Sequence, residues 1–175
     1  MASILIVYST TDGHTLRICD RLRGIVEAQG HYVTLVPVAD AAGADLESCD
    51  KIVVGASIRY GRHRPEVVAF IERNAQALNR KVSAFFSVNI VARKPAKNQP
   101  HTNPYVRKFL RKIAWRPREV GVFAGKLDYP RYGFVDRTVI RFIMLLTGGP
   151  TDPTAVVEFT NWSQVDAFGS LIARM

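Results

Sequence analysis

The sequence predicts an α/β fold with a doubly wound, five-stranded parallel sheet in the order 2-1-3-4-5. Short, continuously apolar runs alternate along the chain with longer segments whose apolar residues recur at helical spacing. Uninterrupted apolar runs are typical of parallel strands that are buried on both faces. Right-handed crossovers between such strands then give the strand order. We expect residues 1–175 to form a single domain, because this length is ordinary for one hydrophobic core.

The first part of the chain predicts two strands and one helix. Residues 3–8 are apolar and end abruptly at hydroxyl residues, which predicts a buried strand. A helical pattern over 14–29 ends at Gly30, a residue that favours helix C-termini. The β-branched stretch 31–36 predicts the second strand, which should stop at Pro37.

The middle of the chain continues the alternation. An apolar run at 52–56 predicts the third strand, and the helix predicted over 65–78 begins with a proline, which is well placed in a first turn. Residues 82–88 predict the fourth strand. A helix over 104–115 follows a loop rich in Pro, Asn and Lys.

The last part of the chain breaks this regular pattern. After a fifth strand over 119–124, residues 126–153 form a connection that is too long and too apolar for a simple loop. Strand-like residues resume at 155–159, and a helix is predicted over 161–175. We therefore expect a long insertion that interrupts strand five.

Positive charge is concentrated in one tract. Residues 73–118 contain twelve Lys/Arg and no acidic residue, a net charge of +12. Residues 1–72 contain seven Lys/Arg and nine acidic residues, a net charge of −2, and residues 119–175 contain five Lys/Arg and six acidic residues, a net charge of −1. Together they give the net charge of +9. This tract predicts an anionic partner, and an ordinary solvated surface is the alternative. The partner could be a nucleic acid, an anionic membrane surface or a carboxylated ligand, and a non-enzymatic binder of nucleic acid or anionic surfaces is an alternative to an enzyme. Because the tract contains no recognised nucleic-acid motif, we expect no nucleic-acid partner.

The loop after the first strand predicts an anion site. Ligands of such sheets bind beyond the carboxyl ends of the strands, and a helix N-terminus attracts anions. The loop has neither the dinucleotide nor the triphosphate glycine pattern, so its hydroxyls favour a phosphomonoester; an ordinary helix cap is the alternative. The candidate phosphate-binding residues are Ser9, Thr10, Thr11, Asp12, Gly13, His14 and Thr15.

Two further strand ends predict a slot for a flat ring. The slot would have apolar and backbone walls, and Tyr60 could stack on the ring or simply lie at the rim. The candidates are Ser57, Ile58, Arg59, Tyr60, Gly61, Ser87, Val88, Asn89, Ile90 and Val91.

Two resemblances rest on these and other stretches. The first loop, a Ser/Thr-rich turn with a glycine and a closing threonine, resembles that of flavodoxins, although Asp12 departs from the pattern. Nearly the whole chain resembles the flavodoxin-type, menaquinone-dependent protoporphyrinogen IX dehydrogenases, and the fold class is then flavodoxin-like. The stretches that carry this second resemblance are Ser9–Thr10 with Asp12–Gly13, Gly55–Gly61, Phe86–Pro95, Trp115–Pro117, Tyr129–Tyr132, and Gly148–Gly149 followed by Thr151–Asp152.

The second resemblance implies an activity. Members of that family use FMN to oxidise protoporphyrinogen IX to protoporphyrin IX and pass the electrons to a quinone, here menaquinone or ubiquinone. It also implies a peripheral location at the cytoplasmic face of the inner membrane, and it leaves a homo-oligomer open. The flavin carries the redox chemistry, so no side chain is assigned a catalytic role. A flavodoxin-like NAD(P)H:quinone reductase or electron carrier is the alternative.

The resemblance also assigns roles to further residues. Gly148, Gly149, Thr151 and Asp152 are added to the cofactor site. The propionate groups of the substrate suit arginine, and the expected substrate-binding residues are Arg59, Arg62, Arg64, Arg93, Tyr129 and Arg131. The insertion is expected to form an amphipathic membrane helix or a lid, with a helix packed on the protein's own core as the alternative. Its candidate residues are Arg137, Arg141, Phe142, Ile143 and Leu145.

Overall fold

A computed structural model describes residues 1–175 and contains eight strands and five α-helices. In chain order they are β1 (Ser3–Ser9), α1 (His14–Glu27), β2 (Tyr32–Pro37), β3 (Lys51–Arg59), β4 (Arg62–His63), α2 (Pro65–Arg80), β5 (Val82–Val88), α3 (Pro104–Lys112), β6 (Glu119–Phe123), β7 (Lys126–Asp128), α4 (Phe134–Thr147), β8 (Val156–Glu158) and α5 (Trp162–Arg174). None of the helices has the length and apolarity needed to span a membrane.

The main sheet has the predicted topology. Its order is β2-β1-β3-β5-β6, and every one of these pairings is parallel. Alternate residues of β1 face opposite layers: Ile4 and Ile6 join the core that contains α1 and α5, whereas Leu5 and Val7 join the core that contains α2 and α3. Burial on both faces explains why the strands are continuously apolar.

The third strand is longer than the sequence suggested. β3 continues to Arg59 and turns into β4, with Arg59 paired to Arg62. Tyr60 and Gly61, the two turn residues, have φ angles of +50° and +78°. Such a pair of left-handed residues makes the tight turn that suits the twist of a β-hairpin. The expected end of the strand at residue 56 is therefore wrong by three residues.

The insertion begins where the main sheet ends. Phe123 pairs with Val88, the last residue of β5, so β6 has no neighbour beyond that point. The strand expected at 155–159 is present as β8, but it pairs antiparallel with β7 in a separate two-stranded sheet. The resumed segment therefore does not rejoin the main sheet.

Helix α4 covers a small core of the insertion and leaves much of its apolar surface exposed. Leu127, Tyr129, Tyr132 and Met144 form this core, and Met144 is the buried residue of α4. The large exposed apolar side chains of the helix are Phe134, Val135, Val139, Phe142, Ile143, Leu145 and Leu146. A helix packed wholly on the protein's own core is therefore not what forms.

Candidate active site

A cleft of about 320 Å³ lies at the carboxyl end of the main sheet. The loops after β1, β3, β5 and β6 form one side, and the insertion forms the other. Of the predicted cofactor residues, the cleft is lined by Thr10, Thr11, Asp12, Gly13, His14, Thr15, Ser57, Ile58, Arg59, Tyr60, Gly61, Val88, Asn89, Ile90 and Val91. The structure thus brings the three predicted loops together.

Two residues of the first loop that line this cleft contain buried polar atoms without a partner. Gly13, with a φ of +83°, precedes the first residue of α1, and its N–H donates to Thr10 Oγ1 at 3.0 Å. The next two side chains, His14 and Thr15, are 8% and 1% exposed. Neither His14 Nδ1 nor Thr15 Oγ1 has a hydrogen-bond partner. Buried polar atoms are rarely left unpaired, so this helix N-terminus is arranged for a polar ligand.

The protonation of His14 follows from its neighbours. Thr160 uses its hydroxyl hydrogen to donate to the Ala124 carbonyl at 2.7 Å, and His14 Nε2 lies 2.6 Å from the same hydroxyl oxygen. The imidazole must therefore donate from Nε2, which leaves Nδ1 as a bare acceptor in the neutral ring. Burial lowers the pKa of His14; the charge of Glu158 opposes this shift, and those of Arg17 and Lys126 add to it.

Asn89 anchors the loop that forms the other side of the ring slot. Its side-chain oxygen accepts hydrogen bonds from Ala92 N and from Asn103 Nδ2, both at 3.0 Å. Asn89 Nδ2 donates to Ser87 Oγ, which also lies 2.9 Å from His63 Nε2. This buried network fixes the loop 88–91 before any ligand binds. Ser87 and Ser9 are buried beneath the slot and do not line it.

Arg59 joins the phosphate loop to the insertion. Its guanidinium binds the carboxylates of Asp12 at 3.1 Å and Asp136 at 2.8 Å. The Tyr60 hydroxyl also donates to Asp136. The Tyr132 ring lies beside the same guanidinium, with 5.3 Å between its centroid and the guanidinium carbon. Asp12 therefore points to an arginine, as a carboxylate beside an anion site should.

Of the other predicted substrate residues, one lines the cleft and the rest lie outside its lining. Arg131 lines the cleft, and its only hydrogen bond is a long one of 3.5 Å to the Asp12 carbonyl. Arg93 lies outside the lining, because it donates to the Ile90 and Thr147 carbonyls and to the Thr147 hydroxyl. Tyr129 is buried and donates to the Pro150 carbonyl at 2.7 Å. Arg62 and Arg64 are exposed outside the cleft lining.

Residues 148–152 lie outside the cleft lining and hold the end of the insertion in place. Gly148 ends α4 with a φ of +68°. Gly149 lies against the side chains of Met144 and Arg93. The Thr151 carbonyl accepts a hydrogen bond from Arg141 at 2.7 Å. Asp152 accepts from the N–H and hydroxyl of Thr154, which lower the pKa of Asp152.

The predicted lid residues face different ways. Ile143 lines the cleft, whereas Phe142 and Leu145 are directed to solvent, with 60% and 69% of their surfaces exposed. Arg137 and Arg141 donate to backbone carbonyls of the insertion. One helix thus presents one apolar side to the cleft and another to the outside.

Sequence reasoning assigned no site role to a further set of lining residues. Tyr132 lies within a stretch that carries the resemblance, and Ile140 and Met144 belong to the apolar pattern that predicts a membrane helix or a lid. The others reach the cleft through tertiary packing that no local pattern signals. They are Arg17, Tyr105, Gly125, Lys126, Leu127, Asp128, Tyr132, Ile140 and Met144.

Comparison with known proteins places the chain among flavin proteins. The profile of the flavodoxin-domain family matches residues 5–154. The oxidised flavodoxin 1 of Bacillus cereus superposes with a TM-score of 0.57 over 99% of this chain and 98% of its own, at 14% identity, which supports the fold.

Two curated proteins are much more similar in sequence. Protoporphyrinogen IX dehydrogenase (quinone) of Leishmania major is 44% identical over 98% of this chain and 74% of its own length. The protein of the same name from Escherichia coli K12 is 43% identical over 98% of this chain and 94% of its own length. The chain therefore belongs to the flavodoxin-domain family and, within it, to the protoporphyrinogen IX dehydrogenase (quinone) family.

Proposed function

We propose that this protein is an FMN-dependent enzyme that oxidises protoporphyrinogen IX to protoporphyrin IX and passes the electrons to a quinone. The observation that carries the proposal is the 43% identity to the Escherichia coli protein of that name, which extends over 94% of that protein's length. The cleft supports it, because a helix N-terminus with buried unpartnered polar atoms lies beside a narrow slot.

The residues present fit FMN. The N–H groups at the start of α1, together with Thr15 Oγ1, would hold the phosphate, and the lone pair now on His14 Nδ1 could take a proton and donate to it. Loops 57–61 and 88–91 would hold the ring between them. When bound, FMN supplies the two-electron redox chemistry that connects substrate and quinone.

The chain itself would orient the substrate and exclude water. Ile140, Ile143 and Met144 give the insertion side of the cleft an apolar surface that suits a macrocycle. Arg59 and Arg131 lie on the cleft wall, where a guanidinium can bind a carboxylate in a bidentate manner. We assign the propionate groups of the substrate to these two arginines, and we treat the insertion 126–153 as the substrate-binding part of a single domain.

The outer side of α4 is proposed to meet an anionic membrane surface. Phe134, Phe142, Leu145 and Leu146 are each at least 60% exposed, which is unusual for so many large apolar residues on one short helix. The tract 73–118 supplies positive charge that would attract anionic headgroups. Peripheral binding at the cytoplasmic face of the inner membrane would bring the cleft to the quinone.

Membrane binding is tested by sedimentation with vesicles. Vesicles that contain phosphatidylglycerol should carry the wild-type protein down at low salt, and phosphatidylcholine vesicles should carry less. Replacing Phe142 and Leu145 together with Glu should abolish sedimentation. Tyr32→Glu, an equally exposed site on β2, is the control and should have no effect. Equal sedimentation of wild type and the double variant would contradict the proposed surface.

The activity itself is tested under anaerobic conditions. Protein loaded with FMN should lose its oxidised flavin absorbance when protoporphyrinogen IX is added, and a menaquinone analogue should restore it. Rapid reduction by NADPH, with none by the porphyrinogen, would instead support an NAD(P)H:quinone reductase. A stable one-electron-reduced flavin in a reductive titration would favour an electron carrier.

A further inference from the structure

We infer that Asp136 is a specificity-determining residue. Its carboxylate binds Arg59 at the position where a carboxylate of the substrate binds. On this view the substrate binds by displacing Asp136 and thereby releases the N-terminal end of α4 from Arg59. The inference rests on the proposed function, and it adds the step by which a dicarboxylate gains access to the site.

The contacts around Arg59 support an exchange. The Arg59 side chain is only 21% exposed, and its guanidinium already binds two carboxylates, Asp12 at 3.1 Å and Asp136 at 2.8 Å. Each carboxylate takes one of the five guanidinium N–H groups, and a third anion beside the two would be repelled by their charge. A substrate carboxylate therefore binds Arg59 best when one of the two leaves.

Asp136 is the more easily displaced of the two. Asp12 belongs to the tight loop between β1 and α1, and it is followed by Gly13 at the start of a helix that buries six residues. Asp136 lies in the first turn of α4, a helix that buries only Met144. Moving this end of α4 exposes little surface that is not already exposed, so displacing Asp136 costs mainly the hydrogen bond from the Tyr60 hydroxyl.

The displaced arrangement would leave room for a second carboxylate. Arg131 lines the same cleft, has no carboxylate partner, and contacts the carbonyl of the residue whose side chain binds Arg59. Two neighbouring guanidinium groups beside an apolar wall select an apolar molecule with two carboxylates on one edge. A diester would meet Arg59 with Asp136 still bound and would gain nothing from displacing it.

The test compares protoporphyrin IX with its dimethyl ester. Binding of each to the FMN-loaded protein is measured in mild detergent by quenching of tryptophan fluorescence. Asp136→Asn removes the competing charge, so it should bind the dicarboxylate about two- to fivefold more tightly, as expected for one charged contact. Its affinity for the diester should be unchanged. With protoporphyrinogen IX as substrate, KM should fall by a similar factor.

A matched control and separate readouts keep the result unambiguous. Asp166→Asn removes another exposed arginine partner, that of Arg21 on α1, and should alter neither affinity. An FMN titration shows whether Asp136→Asn is folded. Unchanged or weaker binding of the dicarboxylate by Asp136→Asn, or an equal change for the diester, would overturn the inference. Absence of porphyrinogen oxidation by the wild type would instead refute the proposed function.

Discussion

Thr15→Val should stabilise the protein without its cofactor and weaken cofactor binding. Thr15 is 1% exposed, and its hydroxyl has no hydrogen-bond partner. An unpartnered buried hydroxyl costs about 1–3 kcal/mol, and valine has the same shape without that group, so unfolding of the apoprotein should require about 1 kcal/mol more. A hydrogen bond to a charged phosphate contributes about 1.5–3 kcal/mol, so the Kd for FMN should rise roughly 10- to 100-fold.

Two measurements on the same samples test the expected rise in apoprotein stability and the expected rise in the Kd for FMN. Urea unfolding of the apoprotein gives the free energy of unfolding, and quenching of flavin fluorescence gives the Kd for FMN. Thr10→Val is the control, because Thr10 Oγ1 already accepts a hydrogen bond from Gly13 N and its loss should lower stability by about 1 kcal/mol. If Thr15→Val destabilised the apoprotein, the hydroxyl would not be unpaired there. If it left the Kd for FMN unchanged, the hydroxyl would not face the phosphate.

Three further predictions concern titration and packing. As the pH falls, FMN binding should tighten more in the wild type than in His14→Gln. Burial holds the pKa of His14 low in the free protein, whereas a phosphate at Nδ1 favours the charged ring. Flavin fluorescence titrations at several pH values check this. Burial lowers the pKa of His63 from 6.5 to about 4, so the unfolded chain binds a proton at a higher pH than the folded protein does. The free energy of unfolding should therefore fall by up to about 3 kcal/mol as the pH is lowered from 6.5 to 4. His63→Gln should lack that slope in urea unfolding, and an unchanged slope would exclude His63 as its source. Gly55→Ala would place its Cβ against the Phe86 ring and should lower the free energy of unfolding by about 1–3 kcal/mol in thermal or urea unfolding. Gly24→Ala, with open space around it, is the control and should not destabilise the protein.

The parts of the fold that could be predicted are those with a local signal. Each strand of the main sheet is an apolar run of its own, so its presence and its place in the order could be read from the sequence. The hairpin at Tyr60 could not, because β4 is two residues long and a tyrosine with a positive φ is uncommon. The partner of β8 was also out of reach, since pairing with β7 depends on how the insertion folds back.

The same distinction applies to the site. The residues of the first loop are contiguous in sequence. Because the carboxyl ends of parallel strands meet at one edge of the sheet, the loop is expected beside loops 57–61 and 88–91, where the structure has it. Arg93 shows where the reasoning fails. Its charge suggested a substrate carboxylate, but its guanidinium binds Thr147, which is 54 residues away, and so joins the end of α4 to the loop after β5. A residue type states what a side chain can bind, and only the fold determines what lies within its reach.

Arg59 connects the two sides of the cleft. The side formed by the main sheet carries the features that suit a cofactor: the start of α1 and the slot between two strand ends. The opposite side consists of insertion residues, and in the present arrangement it is tied to the first loop through the ion pairs of Arg59 with Asp12 and Asp136. A phosphate bound beside Asp12 would add negative charge next to that guanidinium and strengthen its attraction for the loop. Loading the cofactor should therefore hold Arg59 in place while leaving Asp136 as the contact that a substrate carboxylate replaces.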